Sequence, residues 1–101
     1  AEQRALAQAA AAAGAQLVIG AHPHVLQPLR REGAAVVAYS LGNFVFGAGS
    51  PGTASTGILE AHLTADGVGA ARWRAGSIVS ARRPRRLPLR DQDAMSAGVS
   101  L

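Results

Sequence analysis

Hydrophobic positions fall into short groups separated by polar and glycine-rich stretches. Residues 2–13 (EQRALAQAAAAA) consist of Ala, Gln, Glu, Arg and Leu, all good helix formers. Gly14 is the residue type that closes a helix in the left-handed region. The pattern predicts a helix over this span, packed inward through alanines, because Leu6 is its one large apolar side chain. Leu17-Val18-Ile19, ended by Gly20, is a continuous apolar run of the kind a strand buried on both faces requires. A second run, Ala34 to Ala38, leads through Tyr39 into Ser40-Leu41-Gly42-Asn43-Phe44 and predicts another strand. Between the runs, Val25 to Leu29 is a short turn or strand limited by Pro28. Arg30-Arg31-Glu32-Gly33 reads as a polar reversal with both arginines solvated. Helix, glycine, strand is a layered α/β order.

The second half of the chain has a different rhythm. Gly47 to Gly57 carries Gly, Ser, Pro and Thr, which is loop chemistry; beside a site such a loop can act as a lid. Phe44 and Phe46, two residues apart, are expected to face the core. Ile58 to Thr64 then alternates, with Ile58, Glu60, His62 and Thr64 on one face and Leu59, Ala61 and Leu63 on the other, a strand signature. Asp66-Gly67 is a turn signal, and Val68 to Val79 supplies the returning strand. A hairpin at the edge of a sheet is expected.

Length and composition bound the possibilities. The chain has 101 residues, enough for one small domain. It starts with Ala1, which suggests a processed product or a fragment. All ten basic residues are Arg and there is no Cys, so disulfides and cysteine-based zinc sites are excluded. No apolar run approaches the about 20 residues that span a bilayer, and there is no charged start followed by an apolar signal core. The net charge of +4 comes mostly from Arg82-Arg83-Pro84-Arg85-Arg86 and Arg90. These can attract phosphate, RNA or an anionic membrane surface. Prolines break the run and no aromatic residues interleave it, so nucleic acid is not the expected partner. Residues 80–101 read as a basic, flexible tail whose last part, 91–101, carries no pattern.

The candidate chemistry lies at His22 and His24. Pro23 biases the preceding residue toward extended backbone, and in an extended chain positions i and i+2 point the same way. Both imidazoles would then leave one side of a loop at the end of a strand. Neutral imidazole is the commonest protein metal ligand. Two of them can chelate one metal, or give one ligand to each of two metals about 3.5–4 Å apart. Equally, one can cap a backbone group while the other stays exposed. Gly42 and Asn43 tolerate positive φ and allow a sharp bend. Asn43 can bond an oxyanion, fix a histidine tautomer, or bond its own backbone in a turn. Ser40, Gly42 and Asn43 are the candidate substrate-binding or supporting residues. His62 reads as a half-exposed strand residue, not a ligand.

Gly20-Ala21-His22-Pro23-His24-Val25-Leu26-Gln27-Pro28, followed by Tyr39-Ser40-Leu41-Gly42-Asn43-Phe44-Val45-Phe46, closely resembles the end of the bacterial capsule-synthesis family named for CapA, the poly-gamma-glutamate capsule protein. That family is similar in turn to calcineurin-like metallophosphoesterases, whose last metal motif is a Gly-x-His-x-His loop. The resemblance covers roughly residues 1–65. It implies that residues 1–79 form the C-terminal portion of a four-layer α/β/β/α metallophosphoesterase-like sandwich, incomplete in this chain. It carries His22 and His24 onto the last metal ligands and catalytic positions of a site for two divalent ions, of which manganese, iron and zinc all suit the ligand types. Either histidine could also assist a leaving oxygen. The Asp, His and Asn ligands of the upstream motifs are missing, and Phe44 stands where a Gly-Asn-His motif would have its histidine. The implied activity is a phosphoester hydrolase in the complete protein, with this chain alone inactive. The implied partners are the missing N-terminal part of the domain, other capsule-synthesis components and a membrane surface, at a membrane-associated or extracytoplasmic location. Two alternatives stand beside it: a non-catalytic assembly or binding component of capsule polymer synthesis or export, and a basic anion-binding module using Arg82 to Arg90.

Overall fold

In the computed structural model, which describes residues 2–92 and 99–101, helix α1 spans Glu2–Ala12. Its end follows from Gly14, which takes φ +107°. The Gly14 N–H bonds the Ala11 carbonyl and the Ala15 N–H bonds the Ala10 carbonyl, the paired arrangement that satisfies the last carbonyls of a helix. Ala7 is the buried residue of the helix, while Leu6 is 73% exposed, so α1 does pack inward through alanine.

Strands β1 (Leu17–Ile19), β2 (Leu29–Glu32), β3 (Ala35–Ala38) and β7 (Val99–Ser100) form a mixed sheet in the order β1-β3-β2-β7. β1 runs parallel to β3, with Val18 opposite Val37, and β2 runs antiparallel to β3, with Leu29 opposite Ala38. Strands β4 (Ser55–Thr64), β5 (Gly67–Val79) and β6 (Arg83–Arg86) form a second, antiparallel sheet in that order. The chain is thus a mixed α/β structure with two small sheets. Every residue of β3 is buried, because both faces of the strand are covered. On one face Val37 and Tyr39 pack with Ala7 of α1. On the other, Ala38 and Leu29 pack with Trp73 and Ala75 of the second sheet.

Several expectations are corrected. β1 is an edge strand, not one buried on both faces, and Ile19 is 56% exposed, because among the described residues β1 has a neighbour on one side only. The polar reversal at Arg30 to Gly33 is narrower than expected. Arg30, Arg31 and Glu32 belong to β2, and the turn lies at Gly33. Arg31 is exposed, as expected, but its side chain is also tied down. Its Nη1 and Nη2 donate to the Val68 and Gly69 carbonyls at 2.6 and 2.7 Å, and the Val68 N–H bonds the Ala34 carbonyl. These contacts fasten the start of β5 to the mixed sheet. Phe44 and Phe46 are 46% and 51% exposed, so they do not face the core. The hairpin of β4 and β5 is the body of its own sheet, not the margin of another.

Two further segments are more regular than their composition suggests. Within the Gly47–Gly57 loop, Pro51–Ala54 makes a turn of helix, α2, closed at its start by a reciprocal capping box between Ser50 and Thr53. Of the 80–101 segment, Ser80–Arg82 is a 3-10 turn and β6 pairs with the end of β5, Gly76 opposite Arg86. β6 gives hydrogen-bond partners to a strand that would otherwise present an open edge. A short helix, α3 (Leu89–Gln92), follows, and residues 93–98 lie outside the described residues.

Candidate functional site: the histidine loop

The two sequence strings that frame the histidines meet in space through the pairing of β2 with β3. That pairing runs on beyond the strands. The Tyr39 N–H bonds the Pro28 carbonyl, the Gln27 N–H bonds the Ser40 carbonyl, and Leu26 forms an antiparallel bridge with Leu41. Continued in the same register, it brings His24 opposite Asn43. The contact is made there: His24 Nδ1 lies 2.7 Å from Asn43 Oδ1.

The chemistry of Asn43 fixes the direction of that bond. Asn43 is buried, and its Nδ2 donates to the Thr53 carbonyl at 3.3 Å. A backbone carbonyl only accepts, so the amide is oriented with Oδ1 toward the histidine. His24 Nδ1 must then carry the hydrogen, and in the neutral ring the lone pair lies on Nε2. The asparagine is held from behind as well, since Thr56 Oγ1 donates to the Asn43 carbonyl oxygen. The side chain of Asn43 is thus spent on His24 and Thr53, not on its own backbone.

The loop carrying the histidines departs from the extended form expected of it. His22 takes φ +106° and His24 φ +60°. Histidine enters the left-handed region more readily than most residues, but both values are uncommon for side chains of this size. The rings are neighbours nonetheless, with centroids 6.3 Å apart and planes at 53°. The Phe46 ring lies 5.3 Å from that of His24, which accounts for part of what Phe46 does outside the core.

Ser40 and Gly42 serve the loop itself. Ser40 is 1% exposed, and its Oγ accepts from the Gly42 N–H at 3.2 Å. Gly42 takes φ +70°, and a Cβ there would lie 3.2 Å from both the backbone nitrogen and Cδ2 of Leu26. The chain can turn toward Asn43 this tightly because residue 42 has no side chain. His62 is exposed on β4, away from the core. Among the described residues, no three His, Asp or Glu side chains gather as a ligand set.

Sequence reasoning missed Thr53, Thr56 and Phe46 as partners of this loop. Thr53 and Thr56 lie ten and thirteen residues beyond Asn43, in a stretch whose composition signals only a loop. No local pattern marks them.

A pair of imidazoles beyond a parallel edge strand, one oriented by a buried asparagine, defines a mixed α/β protein with a histidine loop. Residues 1–48 match the family described as bacterial capsule synthesis protein PGA_cap, and this span holds both strings. The chain is 45% identical over 67 residues to the PGA biosynthesis protein CapA of Bacillus subtilis (strain 168), an alignment that covers 66% of this chain and 18% of the relative. It is 43% identical over 65 residues to the capsule biosynthesis protein CapA of Bacillus anthracis, covering 64% of this chain and 16% of the relative. Over the matched residues the chain is similar to bacterial capsule-synthesis proteins of the CapA family. It spans less than a fifth of the length of these relatives.

Proposed function

We propose that this chain acts in bacterial capsule synthesis and that His22 and His24 are part of a divalent-metal site for phosphoester hydrolysis. The single observation that carries the metal reading is the His24–Asn43 bond of 2.7 Å. Imidazole ligands to metals are typically held by a partner on the other ring nitrogen, which sets the tautomer and the ring direction. Asn43 does this for His24, leaving Nε2 as the donor atom. The names of the two relatives support the capsule assignment.

The donor set fits part of such a site. Two imidazoles bound to one ion at about 2.1 Å with a tetrahedral angle would have ring centres roughly 5.3 Å apart. The observed 6.3 Å is wider, a spacing compatible with one shared ion at a more open angle or with one ligand to each of two neighbouring ions. The remaining ligands would come from residues other than those described, in the layers of an α/β/β/α sandwich that would pack beside the open edge of β1. When bound, divalent ions would clamp a phosphate and lower the pKa of a bridging water. His22 and His24 would direct their nitrogens to that centre, and Phe46 would shield one side of His24 from water.

The test is metal content and phosphatase activity of the protein made from its complete reading frame, with His22→Ala and His24→Ala compared with the parent. Loss of bound metal and of hydrolysis in both variants supports the reading. Capsule assembly unaffected by both changes would instead favour a binding or assembly role without hydrolysis.

A further inference from the structure

A second polar site lies on the face of the mixed sheet that α1 covers. Side chains alternate along a strand, and cross-strand partners share a face. Val37 and Tyr39 pack with Ala7 of α1. Arg30 is paired with Val37, and Glu32 with Ala35. Arg30 and Glu32 therefore project on the side from which α1 brings Arg4. Arg4, Gln27, Arg30, Glu32 and Tyr39 line one cavity of about 320 Å³, within the size range of small-molecule sites.

The groups that remain unspent decide what this cavity can hold. Tyr39 is buried, and its hydroxyl donates to Glu32 Oε1 at 3.2 Å. Gln3 Nε2 donates to Gln27 Oε1 at 2.6 Å and to the Tyr39 carbonyl at 3.0 Å. The Gln27 amide is thus held by its oxygen, with its N–H donors unspent. Arg4 and Arg30 have no carboxylate partner and no hydrogen-bond acceptor among the described residues. Burial first, then the charge and hydrogen bond of Glu32, raise the Tyr39 phenol above its ordinary value, and the charges of Arg4 and Arg30 oppose them. Both guanidinium groups are therefore near enough to act on the same hydroxyl. Two free cations, an amide donor and a carboxylate already engaged by Tyr39 leave the cavity with a net positive charge.

We infer that Arg4 and Arg30, with the Gln27 amide, bind a carboxylate group of a ligand in this cavity, and that Glu32 selects a singly charged carboxylate over a doubly charged phosphate. The fixed fork of guanidinium donors matches the two carboxylate oxygens. Attraction to a site grows in proportion to the charge of the ligand, whereas the cost of stripping its water grows as the square of that charge in the Born description. Glu32 lowers the net positive charge of the cavity, which tips the balance toward the monoanion. Its hydrogen bond to Tyr39 occupies one of its oxygens and leaves both arginines to the ligand. None of this draws on the metal reading of the histidine loop.

The test is ligand-observed NMR of acetate, and in parallel of inorganic phosphate, with the protein made from its complete reading frame, in chelator at low salt and mildly alkaline pH. The expected result is saturable acetate binding, tighter than that of phosphate. Arg4→Gln and Arg30→Gln each raise the acetate Kd about fivefold or more. Arg90→Gln, which removes an exposed charge outside the cavity, leaves it unchanged. Glu32→Gln keeps an acceptor for the Tyr39 hydroxyl and shifts the preference toward phosphate by about threefold or more. Absence of saturable acetate binding in the parent overturns the inference, as does a loss in Arg90→Gln equal to those in Arg4→Gln and Arg30→Gln. Phosphate bound more tightly than acetate by the parent overturns the carboxylate assignment, and a preference unmoved in Glu32→Gln overturns the selective role of that residue. His24→Ala leaves the acetate Kd unchanged whether or not it loses metal, so this inference and the metal reading fail separately.

Discussion

His24 and Asn43 are joined by a 2.7 Å hydrogen bond that extends the β2–β3 register past the ends of both strands. The bond links the two strings that carry the family resemblance. Removing its acceptor, as in Asn43→Ala, is expected to free His24 Nδ1 and mix the two ring tautomers. Metal affinity of the complete protein should fall about 10–100-fold. Nitrogen chemical shifts of the His24 ring report the tautomer directly. An unchanged Nδ1–H population in the variant would show that Asn43 does not orient the ring.

Gly42 should tolerate no side chain. Its φ of +70° and the 3.2 Å approach to Leu26 add steric conflict to an unfavourable backbone region. Gly42→Ala is expected to destabilise the protein by about 1–2 kcal/mol, measured by urea unfolding. A midpoint equal to that of the parent would mean the turn is looser than described.

Arg31 holds the second sheet to the first through two carbonyls. A lysine ammonium cannot span both in the same plane. Arg31→Lys should cost about 0.5–1.5 kcal/mol and speed amide exchange at the start of β5 more than in β3. Uniform exchange throughout would assign Arg31 no such fastening role.

Glu60 offers a pH test with a defined sign. Its folded pKa lies below the ordinary 4.5, chiefly through the hydrogen bond from Arg74. A carboxyl whose pKa is lowered by folding stabilises the folded state above its unfolded pKa, and that contribution is lost as pH falls through the folded value. Glu60→Gln should therefore be less stable than the parent at neutral pH, with the gap closing in strong acid. The pair is partly exposed and screened by solvent, so the gap should be small. A gap that widens on acidification would contradict the assignment.

How much was legible follows from where each signal lies. The helix, β3 and the β4–β5 hairpin were legible because local patterns and their turn residues agree: Gly14 after the alanines, Asp66-Gly67 between two alternating runs. Phe44 and Phe46 were misplaced because apolar character alone does not say whether a partner surface exists within the chain. The exposure of Ile19 has the same cause, since Leu17 to Ile19 has the pattern of a central strand but stands at an edge. β6 was illegible because three arginines and a proline resemble a solvated segment, and only the open end of β5 makes a strand of them. At the site, His22 and His24 are neighbours, but not through the extended loop expected of them. They meet through two positive-φ residues, and the partner that orients His24 is set by strand register and not by spacing within the loop.

The central claim is that His22 and His24 take part in holding divalent metal. The most direct measurement is the metal content, by elemental analysis, of protein purified from the complete reading frame, compared with the same protein carrying His22→Ala and His24→Ala together. The account predicts stoichiometric divalent metal in the parent and its loss in the double variant while the fold, monitored by Trp73 fluorescence, is retained. Equal metal content in the two folded proteins would contradict it.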